Sequence, residues 1–498
     1  MSEIALSNVI DISLSMAPQG LVKYKTNNVA LFVSKTEYNS TEPYIVAVTP
    51  SDYKDVLASD SIAVYSANAF FTPSQNIRTG EGTLFIFPYS FGSARQASET
   101  TPQITNAMLQ TLKTISDAVL TIEIDGTDYT KSGLDFRQAN TTPDIAKILA
   151  NAGFDCDISA QTGKVEFLSR LYGADSSIVL KETTGTPTTR DLYTLLDCAN
   201  STSEAGANAS GTTLAQAVAE AEQIAYFGGV MTTQMCENSL ILANSTAIQA
   251  TDHIYYEVTR SLHNIETLGN LIKSAGNGKT RLFGYSKTTR HYGSFEAKTA
   301  LATYATIASS VNYSGTDTCL TMNLKELTGI LPDNNLIQNF VNSAKTNGVD
   351  IYGSLEGLGC VLSNDNNGYT DDITGMLWLK KDLQVNGFNY LRKTNTKIPQ
   401  TETDITGLKN AYITSLEQGV RNGLIGKNIG WGDDQAIPFG DPEDFRRNIY
   451  EKGYYVYSIP VSLQSQAERE ERKAPLIQIA VKFAGAVHSS NVIGNIQR

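Results

Sequence analysis

Between Phe227 and Ser309 strand and helix patterns take strict turns, and this alternation limits the fold more than any other feature. Phe227–Thr232, Ile254–Val258 and Arg281–Tyr285 read as strands, and Glu237–Ala250, Leu262–Lys273 and Phe295–Ser309 read as helices. A chain that alternates this way buries its strands by laying helices over a sheet. Thr213-Leu214-Ala215-Gln216 supplies a capping box just upstream, with Leu214, Val218 and Ala221 on one face. Earlier still, Ala30–Val33 and Tyr44–Val48 read as buried strands, Pro50–Leu57 as a helix start and Gly82–Phe87 as a further strand. Residues 21–92 and 212–315 are therefore expected to share one discontinuous middle α/β domain.

Residues 93–211 have another texture. Leu120, Ile122 and Ile124 alternate up to Asp125-Gly126, a two-residue hairpin turn. Thr142-Pro143 offers a cap and a first-turn proline, Ile145, Ile148 and Leu149 make a stripe, and Gly153 closes the helix. A second hairpin carries Phe154, Cys156 and Ile158, a turn near Thr162-Gly163, and Val165 and Phe167 on the return. The segment ends in Ala199–Gly211, rich in Ser, Ala, Asn and Gly. Two hairpins around a helix between polar linkers predict an inserted β-rich module.

From 316 to 475 a separate C-terminal α/β core is expected. It carries helices Asn335–Thr346, Asp371–Val385 and Asp404–Gly423, and strands Val349–Ser354 and Gly453–Val461. Ile405, Leu408, Tyr412, Leu416 and Val420 lie along one side of the third helix. Both extremities then carry period-2 strands. Ile10, Ile12, Leu14 and Met16 share a face in the arm 1–20, and Ile477, Ile479, Val481 and Phe483 share one in the segment 476–498, after Pro475. Such strands either pair at home or are lent to neighbours by strand addition.

Composition removes several functions. The length of 498 residues suits roughly three domains of ~150 residues. Charge is −12 and spread without a block of like sign, so the basic stripe of a nucleic-acid binder is missing. No run of eighteen apolar residues and no leader pattern occurs, which predicts neither membrane insertion nor export by a signal peptide. Five widely spaced cysteines in no paired motif read as reduced thiols of a protein made in a cytoplasm.

Catalytic patterns fail one by one. Gly278-Lys279-Thr280 resembles the tail of a phosphate loop, but Lys273 stands where glycine is required and a strand follows. Asp365-Asn366-Asn367-Gly368, aligned as a calcium loop, places Ser363 first and Thr374 twelfth, so both key carboxylates are missing and a hairpin loop is expected. His253, His263, His291 and His488 have no ligand spacing. Asp371-Asp372 and Asp433-Asp434 sit where helix caps or solvated loops belong. No catalytic, cofactor or metal site is expected.

Several stretches together do carry a resemblance. They are Leu324–Ile330 with Pro332-Asp333, Trp378–Gln384, Lys397–Thr401, Gly453–Tyr457 and Gln464–His488, the last with Arg469, Arg472–Pro475 and Ala484–His488. The set resembles the contractile tail sheath proteins of myovirus-type bacteriophages, most strongly from about 320 to 488, and Asn8–Pro18 fits too. The resemblance implies an α/β sheath core with exchanged N- and C-terminal strands, in which Ile10, Ile12, Leu14, Met16, Ile477, Ile479, Val481 and Phe483 make the inter-subunit contact. It implies a homo-oligomer of stacked rings or a six-start helix around a tail tube, with baseplate and tail-terminator partners, located in the virion after assembly in the host cytoplasm. A sheath must also meet the tube, and Lys380, Lys381, Lys409 and Arg421 are the candidates. Two rivals come from other classes. A non-contracting tubular or capsid-associated phage protein would polymerise in one lattice only, and a soluble α/β enzyme would stay monomeric or form small closed oligomers.

Overall fold

Every residue of the strand Val29–Ser34 is buried, as a strand covered on both faces must be. Val29, Leu31 and Val33 feed one hydrophobic core and Ala30 and Phe32 another, so helices lie on both sides of it. In the computed structural model, which describes residues 25–159, 163–287, 293–393, 397–432 and 436–490, this strand lies within an eight-stranded sheet. The order is Leu358–Leu362, Asp350–Leu355, Thr280–Gly284, Ile254–Thr259, Gly229–Thr232, Val29–Ser34, Leu84–Tyr89, Ile45–Ala47. The inner strands are parallel and the two outermost antiparallel to their neighbours. Ile62–Ala69 and Gly293–Ala308 pack on the first core. Leu214–Ala221, Asn238–Gln249, Leu262–Ser274 and Gln338–Asn347 pack on the second. The fold is mixed α/β.

Several details differ from the sequence reading. Ile45–Ala47 is an edge strand with Val46 and Val48 exposed, because among the described residues no strand pairs beyond it. Pro50–Asp52 is only a 3-10 turn, and the helix starts at Ile62, where Ser61 Oγ accepts from Val64 N–H at 3.2 Å. No boundary falls at 316, since Asp350–Leu355 and Leu358–Leu362 extend the same sheet. The chain instead divides into two compact units between Trp378 and Leu379, within the helix Thr370–Lys393. Asn422–Leu424 and the chain from Ala484 belong with the larger unit.

Residues between Ala97 and Cys198 gather a core of their own within the larger unit. Ala118–Ile124 and Thr127–Leu134 form a hairpin whose turn puts Asp125 at φ 52 and Gly126 at φ 78, the left-handed pair such a turn requires. Helix Thr142–Asn151 is capped one residue earlier than the proline pattern suggests, by Thr141, whose hydroxyl and backbone both bond Asp144. The segment 199–211 is more than a linker: Thr202–Glu204 pairs with Ser98–Thr100, and Ser210–Gly211 with Phe91–Gly92.

The smaller unit comprises Leu379–Arg421 and Ile425–Phe483 among the described residues. Its two long helices pack closely, with Gly407 admitting the Tyr390 ring and Asn386 Nδ2 donating to Ser415 Oγ at 2.7 Å. Ile405, Leu408 and Leu416 are buried, while Tyr412 and Val420 are half-buried. Ile10, Ile12, Leu14 and Met16 lie outside the described residues, as do Thr162, His291 and Asp433-Asp434.

Candidate assembly surface

The C-terminal strand exists, and in the lone chain it pairs at home. Helix Pro442–Lys452 starts at Asp441, whose carboxylate accepts from the Glu443 and Asp444 N–H groups, both at 3.0 Å. It stops at Gly453, with φ 82, whose N–H bonds Ile449 C=O. Strand Tyr454–Ser458 leaves directly from that cap and pairs antiparallel with Ile477–Val481, setting Tyr454 opposite Val481, Val456 opposite Ile479 and Ser458 opposite Ile477.

Opposed residues share a face, and the two faces of this ribbon differ. Ala480 is buried against Phe445 and Ile449, in a small cluster with Phe439, Tyr455 and Trp431. Phe439 stacks on Tyr455 with ring centroids 5.9 Å apart. The apolar row falls on the other face, where Ile477, Ile479 and Val481 are only half-buried, as is Phe483 just beyond the strand. Among the described residues each strand of this ribbon has a strand partner on one side only. The ribbon thus combines a half-covered apolar row with unpaired edges, the elements a further strand would need. Phe483 continues the pairing through a bridge to Ile425, and Gly426 N–H donates to Lys482 C=O at 2.9 Å.

The basic candidates do not form one stripe. Lys380 and Arg421 are exposed and Lys381 and Lys409 half-buried. At 3.6 residues per turn, Lys409 and Arg421 point about 120° apart around the helix Glu402–Arg421.

Groups that mimic catalytic motifs have structural partners. Lys279 Nζ caps carbonyls, donating to Gln249 O at 3.0 Å and to Thr251 O. Asn366 is buried, and its Nδ2 donates to Thr280 O at 2.9 Å. The loop around it joins a strand to a helix and is no hairpin. Asp371 and Asp372 do occupy the first turn of Thr370–Lys393. Burial, and then the charge of Asp372, pushes the Asp371 carboxyl up to about 6. Among the described residues no group of three or more His, Cys, Asp or Glu side chains could hold a metal ion, and no helix is long and apolar enough to cross a membrane.

Residues 370–496 match the family described as E217 tail sheath protein gp31-like, C-terminal domain. The match contains the long helices, the ribbon and its half-covered row. No curated protein matches the chain. Solved structures similar to it include the sheath tail protein of Desulfitobacterium hafniense, at 11% identity over 95% of this chain and 100% of that one, with a TM-score of 0.41. Another is a chain of the anti-feeding prophage baseplate in its contracted state, at 10% identity over 99% of both chains, with a TM-score of 0.48.

Proposed function

We propose, on the premise that residues 370–496 are a tail sheath C-terminal domain, that the protein polymerises around a tail tube and contracts. On this reading the protein is a structural sheath subunit of a phage tail rather than an enzyme. In the proposed cycle, subunits assemble in the host cytoplasm as six-fold rings or a six-start helix, bounded by baseplate and tail-terminator proteins. Contraction then drives the tube through the host envelope.

The observation that carries this reading is the terminal ribbon. Its apolar row is half-covered in the single subunit and, among the described residues, its edges are unpaired. Ile477, Ile479, Val481 and Phe483, already half-buried, would contribute at most ~3–6 kcal/mol on becoming wholly buried, before association costs. Ladder bonds add about 1 kcal/mol net each. Strands lent by Ile10–Met16 and Ile477–Phe483 would keep neighbours linked while rigid domains rotate.

Ile479→Asp with Val481→Asp tests the link. Both positions are half-exposed in the lone subunit, so the variant should fold, yet a neighbour could not bury the charges. Electron microscopy should show tubes for the parent protein and dispersed subunits for the variant. Long tubes from the variant would rule out strand lending through this row.

A further inference from the structure

The terminal strand is held at both of its flanks. Upstream, Lys473 C=O accepts from Gln400 Nε2 at 2.8 Å and from Gln464 Nε2 at 3.0 Å. Downstream, Ala484 N–H donates to Leu424 C=O at 2.9 Å. His488 then ends the segment in a shallow seat on the larger unit. Its Nε2 lies 2.9 Å from Thr321 Oγ1, and its ring meets Tyr369 edge to face with centroids 4.5 Å apart. Between these anchors the side chains are not packed away: Val487 is 88% exposed, and Leu476, ahead of the strand, is 71% exposed.

We propose that Ala484–His488 is a latch, an intrachain contact that keeps Ile477–Val481 from reaching a second copy of this chain until His488 undocks. The argument is one of reach. Val481 and Ala484 are three residues apart, so while Ala484 is bonded to Leu424 the end of the strand stays within about 10 Å of that carbonyl. Pairing on a neighbour needs a longer tether, and that tether requires the segment through His488 to come free before the Phe483–Ile425 bridge and the Gly426–Lys482 bond can part. The latch is built to open. Two hydrogen bonds, Thr321 Oγ1 to the ring and a long one of 3.5 Å from Asn323 Nδ2 to the His488 carbonyl, and one ring contact hold its far end, while the apolar side chain beside it gains nothing by staying. Solvent-exposed Leu476 and Val487 would become buried in the polymer, which favours the open form only once a neighbour is present. This inference rests on the strand-lending reading above.

The test uses the full-length subunit with two readouts, amide hydrogen exchange over Ala484–His488 and the lag before light scattering rises. A bond and a ring contact of this kind shift an equilibrium roughly tenfold, so His488→Ala should speed exchange about tenfold and shorten the lag by a similar factor. Thr321→Val should do the same in smaller measure. His488→Gln, which keeps a polar group near Thr321, should fall between His488→Ala and the parent. Tubes of the variants should match those of the parent. If exchange accelerates while the lag is unmoved, undocking does not gate assembly and the latch is overturned, although parent tubes leave strand lending intact. Unchanged exchange in His488→Ala overturns it as well. A parent chain that never polymerises overturns both readings.

Discussion

Asp155 and Arg260 form an ion pair from which solvent is almost wholly excluded, with side chains 2% and 1% exposed. Asp155 follows the helix Thr142–Asn151, while Arg260 directly follows the strand Ile254–Thr259 of the large sheet. Breaking such a pair leaves a bare buried charge, whereas replacing both partners by apolar groups does not. Asp155→Ala should therefore lower unfolding free energy by about 3–5 kcal/mol in urea melts. Asp155→Leu with Arg260→Met should recover most of the loss. Parental stability in Asp155→Ala would mean that Arg260 is compensated elsewhere.

The same pair changes what excision of the module should do. Residues 93–211 are proposed as an inserted decoration that assembly does not need. Replacing residues 98–208 by a Gly/Ser linker also removes Asp155 and with it the carboxylate of the Arg260 ion pair. The excised chain should polymerise only when Arg260→Met accompanies the deletion. Loss of polymer in that combined variant, with a native-like circular dichroism spectrum, would place the module in the lattice.

Asp371 makes stability depend on pH. Its carboxyl is pushed up to about 6 by burial and then by Asp372, with Asp350 adding to the rise and His488 opposing it. A raised acid stabilises the fold fully below its unfolded value near 4 and loses that contribution as pH rises through about 6. The loss should be about 1–3 kcal/mol by pH 7, the lower end allowing for partial exposure. Asp371→Asn should narrow the gap between urea midpoints at pH 4.5 and pH 7 and raise the midpoint at pH 7. An unchanged gap would remove Asp371 as its source.

Much of the large sheet was legible because its signals are local and redundant. Buried parallel strands such as Val29–Ser34 are nearly continuous apolar runs, and Thr213 with Gln216 caps a helix through its own side chains. Other elements were hidden for physical reasons. Ile62–Ala69 is short and rich in alanine, and its buried positions include Ser66, so it shows no clean stripe. Pro442–Lys452 buries only Phe445 and Ile449. The terminal strand shows the deepest limit. Alternation marks Ile477, Ile479 and Val481 as one face, but Ala480 on the opposite face is the residue buried at home. It packs against Phe445 and Ile449. That choice depends on a helix which the sequence pattern concealed.

Tube contact is proposed to run through charge, because exposed ion pairs are individually weak and re-form as surfaces slide. Lys409 and Arg421 diverge around their helix, so a single tube surface cannot engage both equally. Reversing Lys380 and Lys381 together to Glu should weaken sheath–tube co-assembly in low salt, as should one but not both of Lys409→Glu and Arg421→Glu. Co-assembly unchanged by every reversal would exclude all four.

Contraction demands two lattices of different free energy built from one subunit. A tube would template the extended form, and without it the subunit should fall directly into the shorter, wider form. Purified protein alone should therefore give hollow tubes wider than the sheath on intact tails, and those tails should shorten in acid or urea. The energy is expected to come from repacking of domain faces between two arrangements, with cores nearly rigid and terminal strands still paired. The change should need neither ATP nor chain cleavage. Electron microscopy of free polymer, intact tails and treated tails decides the matter. One lattice under all three conditions would leave a tubular structural protein and remove contraction; a subunit that stays dispersed would remove polymerisation too.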